Sequence, residues 1–231
     1  MLSIRGITSA YGETTVVRNV HLEVGKGQVV ALMGRNGVGK TTLLKTLMGL
    51  MNPLHGSMLF DGQDITNWPP EMRASHGIGY VPQGRDIFPH LNVRENLLLG
   101  IEARKKRGAK IPGGVFELFP SLEGLLARKG GNLSGGEQQQ LAIARVLITE
   151  PKLLLMDEPT EGIQPSIVYE IENAIRFLKG QGNVSILLVE QFMEFALRLS
   201  DYCYIMEKGS IVFQGPISDL SKGEIENHLI I

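Results

Sequence analysis

Five apolar residues, Val29-Val-Ala-Leu-Met33, lead directly into Gly34-Arg35-Asn36-Gly37-Val38-Gly39-Lys40-Thr41-Thr42, and this junction constrains the fold more than any other segment. The run has the length of a strand buried on both faces, and the residues from Lys40 onward have a helical pattern. Between them, G-x-x-x-x-G-K-T puts glycines where the backbone must curl until its N–H groups face one anion. The unpaired N–H groups and positive dipole end of the following helix point the same way. A triphosphate fits this cradle, with Lys40 reaching its outer phosphates and the Thr41 hydroxyl available to Mg²⁺.

Continuously apolar runs recur at 153–156 and 186–189, separated by helix-like stretches at 40–50, 135–148 and 166–179. Such alternation predicts an α/β fold with a parallel sheet and crossover helices. The first 30 residues and 56–61 alternate with a shorter period between turn signals, which predicts a small antiparallel sheet beside it. From 85 to 151 the pattern turns mainly helical, with Asn92 as an N-cap, Leu97-Leu-Leu99, and a further helix at 115–126. The expected organisation is a single domain, 1–231, whose core is 1–84 and 152–231 and whose helical insertion is 85–151.

Two further motifs carry chemistry. Leu153-Leu-Leu-Met-Asp157-Glu158 ends a buried strand on adjacent carboxylates, an arrangement that calls for a cation. Asp157 suits Mg²⁺, directly or through water, and Glu158 suits polarisation of an attacking water. Leu133-Ser134-Gly135-Gly136-Glu137 opens a helix: Ser134 and Glu137 have capping-box spacing, and the two glycines leave exposed N–H groups open to a second anion. The chain has 28 glycines in 231 residues, where a ~7 % share would give about 16. Gly34, Gly37, Gly39, Gly135 and Gly136 absorb part of the excess, while Gly113, Gly114, Gly180 and Gly182 read as turn positions that favour positive φ.

Ser134-Gly-Gly136-Glu137 resembles the signature motif of ATP-binding cassette (ABC) ATPases, and the resemblance runs from Tyr11 to the Gln191 region. It implies a P-loop NTPase sheet with an N-terminal antiparallel subdomain and a helical insertion. It also implies ATP and Mg²⁺ as cofactors, with ATP sandwiched between the loop of one ATPase and Ser134, Gly135 and Gly136 of another, a second copy or a paralogue. Tyr11 matches the aromatic that stacks on adenine, and Gln83 in Tyr80-Val-Pro-Gln83 the glutamine that contacts magnesium and water. Two positions depart from the family pattern: Gln191 replaces a usual histidine at the γ-phosphate, and Glu137 stands where glutamine is commoner. An amide donates a hydrogen bond but gains no charge near neutral pH, so catalysis leans more on Glu158.

Gln191 is the usual residue in ATPases of branched-chain amino acid and urea or amide importers. Within that group Gly34-Arg-Asn-Gly-Val-Gly-Lys40 and Glu158-Pro-Thr-Glu-Gly-Ile-Gln-Pro-Ser166 look most like the urea importer subunit, with the amino acid importer as the alternative. The resemblance implies two permeases, an external solute-binding protein engaged indirectly, and a peripheral position on the cytoplasmic face of a bacterial-type membrane.

Composition agrees. With 23 basic and 24 acidic residues the net charge is −1, giving no general drive toward nucleic acid. The one cysteine, Cys203, excludes an internal disulfide and a cysteine-based zinc cluster and suits a reducing compartment. The opening residues read as a strand and lack a signal peptide's charged and apolar regions. Arg104-Lys-Lys-Arg107 with Lys110 forms a basic run that reads as a solvated helix end, with a lipid contact as the other possibility. Soluble ABC ATPases usually fuse two cassettes or insert a coiled coil, and a regulatory module would lack Lys40 or Glu158. A kinase or GTPase sharing the loop would lack the Ser134 motif.

Overall fold

The computed structural model describes residues 1–103 and 110–219. At its start, β1 (Leu2–Tyr11) and β2 (Thr14–Val24) form a hairpin that buries Leu2, Ile4 and Ile7 with Val17, Val20, Leu22 and Val24. The chain then runs through β3 (Val29–Met33) and helix α1 (Lys40–Met48) before returning in β4 (His55–Phe60) and β5 (Gln63–Asp64). Pairing is antiparallel in the order β2-β1-β4-β5, the sheet that the short-period patterns predict.

Helix α2 (Pro70–Ser75) and strand β6 (Ile78–Val81) lead into a mainly helical stretch. It holds α3 (Val93–Ala103), α4 (Gly114–Leu118), 3₁₀ turns at Pro120–Leu125 and Gly130–Asn132, and α5 (Gly135–Leu147). There follow β7 (Leu153–Asp157), α6 (Pro165–Gln181), β8 (Ser185–Glu190), α7 (Met193–Leu199), β9 (Tyr202–Glu207) and β10 (Ser210–Pro216). The second sheet has the order β10-β9-β3-β8-β7-β6. Its pairs are parallel except at the edge, where β10 runs antiparallel to β9. That departure from a wholly parallel sheet follows from the connection: Lys208 and Gly209, at φ 46° and 88°, form a two-residue hairpin turn, too short for a parallel crossover.

The continuously apolar strands are explained by what covers each face. Val30, Leu32, Leu153, Leu155, Leu187 and Val189 pack with Leu43, Leu44 and Leu47 of α1 and with the antiparallel sheet. Their alternates Val29, Leu154, Met156, Ile186 and Leu188 pack with the helical stretch and α6. Since neighbouring side chains point to opposite faces, a sheet covered on both sides needs apolar residues at every position. The far end of α1 is held by Arg73, fully buried, which donates to the carbonyls of Thr46 and Leu47 at 2.8 Å each and of Trp68 and Thr66 at 2.8 and 3.0 Å. A cation there complements the helix dipole, although burial pushes its pKa down to about 10.

Several boundaries differ from expectation. Helix α1 stops at Met48 because Gly49 takes φ 78° and its N–H turns back to the carbonyls of Lys45 and Thr46. The helix expected at 115–126 is broken at Pro120, which has no N–H and clashes with a preceding helical carbonyl, so a 3₁₀ turn follows α4. Of the four glycines read as turns, only Gly182 has positive φ, 65°, capping α6. Gly114 opens α4 and Gly180 lies inside α6, while Gly113 takes φ −58°, so those three need no left-handed backbone. Asn92 does cap α3, accepting from the Glu95 N–H and donating its own N–H to Glu95, at 2.8 Å each. The basic run from Arg104 lies outside the described residues except for Lys110, which is exposed.

Candidate functional site

The loop between β3 and α1 is built on close approaches. A Cβ at Gly34 would lie 2.4 Å from the Met206 carbonyl oxygen and one at Gly39 3.1 Å from that of Val16, while Gly37 takes φ 79°. Helix α1 begins after Gly39 with no side-chain cap and no acidic residue in its first turn, leaving its N–H groups free to meet an anion. Lys40 is buried and folds back over the loop: Nζ donates to the carbonyls of Gly34 at 2.7 Å and Arg35 at 2.9 Å. It also lies 3.2 Å from Glu158 Oε1.

Strand β7 delivers both carboxylates to the same point. Asp157 is fully buried, and its Oδ1 has no hydrogen-bond partner. Burial raises its pKa, opposed by a hydrogen bond from Thr41, with the Glu158 charge raising it further and that of Lys40 opposing. Glu158 sits in a left-handed conformation, φ 47°, which turns its side chain back over the loop. Besides Lys40 it receives the Gln191 amide, Nε2 to Oε2 at 2.7 Å, and lies 3.4 Å from Gln83 Nε2. The Gln191 amide also donates to Asn36 Oδ1 at 2.6 Å. Three strand ends, those of β6, β7 and β8, thus converge on one carboxylate beside the loop. Val16, Asn36, Gly37, Gly39, Lys40, Thr41, Thr42, Gln83 and Glu158 line a cavity of about 140 Å³ here.

Helix α5 starts with the reciprocal cap that its sequence suggests: Glu137 N–H to Ser134 Oγ at 3.3 Å and Ser134 N–H to Glu137 Oε2 at 2.7 Å. The Glu137 carboxylate is therefore turned back into the cap. Both glycines are also sites of close packing, since a Cβ at Gly136 would lie 2.6 Å from Ile167 Cγ1 and one at Gly135 2.9 Å from the Arg85 guanidinium. Arg145, further along α5, donates to the Asp86 carbonyl at 2.7 Å and lies over the Phe88 ring at 5.1 Å. The segment after Gln83 is thus gripped by α5 on one side while Gln83 reaches the carboxylates on the other.

The family model described as "ABC transporter" matches residues 17–161. The chain belongs to the ABC transporter family. This ABC protein is 41 % identical over 213 residues to the "High-affinity branched-chain amino acid transport ATP-binding protein BraG" of Pseudomonas aeruginosa, covering 92 % of this chain and 91 % of that one. It is 35 % identical over 225 residues to the "Probable branched-chain amino acid transport ATP-binding protein LivF" of Archaeoglobus fulgidus, covering 97 % and 95 %. Among solved structures, an ATP-binding subunit of an ABC transporter superposes with TM-score 0.86 at 26 % identity over 100 % of both chains. A dimeric post-hydrolysis cassette bound to ADP and Pi superposes with TM-score 0.82 at 26 % identity, over 94 % of this chain and 99 % of that one. This ABC chain is an ATPase coupled to transport.

The residues expected to act on nucleotide fall into two groups. Lys40, Thr41, Asp157, Glu158, Gln83 and Gln191 come together within this ABC ATPase, whereas Ser134, Gly135 and Gly136 do not line the loop's cavity. Tyr11 ends β1 with a half-exposed ring, also outside that lining. Among the described residues no group of three His, Cys, Asp or Glu could hold a metal. One unpartnered buried carboxylate oxygen on Asp157, with the Thr41 hydroxyl beside it, suits a hard cation that takes its other ligands from phosphate and water. Mg²⁺ fits this donor set.

Sequence reasoning missed Val16, which lines the cavity, and Glu161, whose Oε2 accepts from Gln83 Nε2 at 2.8 Å. It also assigned no role to Glu190, a buried carboxylate that accepts from the Thr160 hydroxyl at 2.7 Å, the Thr160 N–H at 3.2 Å and the Gln191 N–H at 3.1 Å. A charged residue closing an otherwise apolar run was the available signal.

Proposed function

We propose that this ATPase energises uptake of urea or a short-chain amide through separate permease subunits, working as one of two ATPases that sandwich ATP. The observation that carries the catalytic part is the Glu158 carboxylate, met by Lys40, Gln83 and Gln191 beside the glycine loop. In this reading Lys40 exchanges its carbonyl contacts for the outer phosphates, and residues 34–42 supply N–H groups to the phosphate chain. Glu158 accepts a proton from the attacking water, and Gln191 donates to the γ-phosphate. Thr41, Asp157 and Gln83 would hold Mg²⁺, which when bound offsets phosphate charge and orients the triphosphate. Tyr11 stacks on adenine, and Ser134, Gly135 and Gly136 serve the nucleotide of the partner ATPase, which is a second copy or a paralogue.

The helical insertion, 85–151, would carry the movement to the permease, since the segment after Gln83 is tied to α5 by Arg145. Among the described residues no helix is long and apolar enough to cross a membrane, so attachment at the cytoplasmic face would come through the permeases. Urea is supported by the wording of the Gly34 loop and of Glu158-Pro-Thr-Glu-Gly-Ile-Gln-Pro-Ser166. A second reading, branched-chain amino acid import, is supported by the printed names of the relatives at 41 % and 35 % identity. Uptake of labelled urea and labelled leucine by cells lacking this chain separates the two. Loss of urea uptake alone supports the first reading, and loss of leucine uptake alone supports the second.

A further inference from the structure

The Gln83 amide faces two carboxylates at once. Its Nε2 donates to Glu161 Oε2 at 2.8 Å and lies 3.4 Å from Glu158 Oε2. Ionised carboxylates only accept, whereas an amide donates from nitrogen and accepts at oxygen, so the pair dictates which end of Gln83 faces them. The nitrogen is committed, and Oε1 remains as the end available to a cation or to water.

Glu161 is held in place for this contact. It follows Thr160, whose N–H and hydroxyl both donate to the buried Glu190, and its own N–H donates to the Glu158 carbonyl at 3.2 Å. Gly162, at φ 64°, completes the turn. Gln83 has no comparable support from its own segment: it is exposed, and it is followed by Gly84 at φ 87° with open space around a would-be Cβ. A side chain so placed loses its orientation without an anchor, because nothing offsets the entropy of fixing it.

We propose that Glu161 is a positioning residue that orients the Gln83 amide so that Oε1 faces the divalent cation of bound Mg·ATP. The inference rests on the reading of Gln83 as a contact for that cation. It also makes the turn after β7 the anchor of the segment whose far side is gripped by α5.

The test is Mn²⁺ binding to the full-length chain with a non-hydrolysable ATP analogue, followed by electron paramagnetic resonance. Analogue affinity without divalent cation and the thermal midpoint are measured alongside. In Glu161→Ala the Mn²⁺ half-saturation concentration should rise about tenfold, the size of one hydrogen bond to a charged group, with metal-free nucleotide affinity and midpoint unchanged. Glu161→Gln, which still offers an acceptor oxygen, should recover most of the loss. If Gln83→Ala leaves Mn²⁺ binding intact, the underlying reading of Gln83 fails. If Gln83→Ala weakens Mn²⁺ binding and Glu161→Ala does not, that reading stands and the orienting role is overturned. It is equally overturned if Glu161→Ala weakens Mn²⁺ binding, metal-free nucleotide affinity and the thermal midpoint together, or if Glu161→Gln binds Mn²⁺ as weakly as Glu161→Ala.

Discussion

Lys40 Nζ lies 3.2 Å from Glu158 Oε1, with both side chains 4 % exposed. The remaining capacity of the pair is satisfied by the Gly34 and Arg35 carbonyls on one side and the Gln191 amide on the other. Removing one partner of a buried pair leaves the other charge uncompensated, so a nearly isosteric change is the informative one. Glu158→Gln should lower ATP turnover by at least ~100-fold, the lower end for loss of a general base. It should leave nucleotide binding intact, because Lys40 is then freed from a competing carboxylate. Turnover at the wild-type rate in a steady-state phosphate-release assay would remove the general-base assignment.

Gln191 donates to both Glu158 and Asn36, and it does so without charge. Gln191→His would place a titratable donor beside a carboxylate, which favours the protonated ring and moves its pKa above the ordinary ~6.5. The ATPase pH profile of this variant should therefore gain an inflection above about pH 6.5 that the wild type lacks. Superimposable profiles would show that the side chain at this position does not act on the reacting phosphate.

The contrast between the glycine loop and the Glu161 turn shows what was legible in the sequence. The loop could be read because strand, glycines, Lys40 and helix are adjacent in sequence, so a local pattern carries the whole geometry. The Gln83–Glu161 contact spans 78 positions and the Thr160–Glu190 contacts span 30, and both exist only because β6, β7 and β8 are neighbours in the sheet. No period or motif encodes that juxtaposition. Arg73 was equally hidden, since its burial depends on the loop carbonyls it meets and not on the apolar pattern of α2. Pro120 was visible in the sequence, but the apolar spacing around it suggested one helix where the backbone makes two elements.

Gly136 is buried in the first turn of α5, where that helix comes into close contact with α6. A methyl group there would meet Ile167 at both γ carbons, at 2.6 and 3.1 Å. Overpacking costs about 1–3 kcal/mol, offset in part by up to about 1 kcal/mol from replacing a helical glycine. In a double-mutant cycle read by urea unfolding, Gly136→Ala should be less favourable in the wild type than in Ile167→Ala by about 1 kcal/mol or more. Additive changes would mean that the two residues do not touch, leaving only a role for Gly136 in anion approach.

Glu190 gives a pH signature that separates burial from hydrogen bonding. Burial raises its pKa above the ordinary 4.5, while hydrogen bonds from Thr160, Gln191 and Phe192 oppose the rise without cancelling it. The native carboxyl therefore keeps its proton to higher pH than the unfolded one does. The stability that this contributes is complete below about pH 4.5 and is lost as pH rises through the native pKa. Glu190→Gln has no such ionisation, and its altered hydrogen bonding adds an offset that does not vary with pH. Unfolding free energies measured in urea across about pH 4 to pH 8 should fall more steeply for the wild type than for the variant as pH rises. Parallel curves would mean that Glu190 titrates alike in the folded and unfolded chains, and that the Thr160 clamp is fully compensated for the burial of its acceptor.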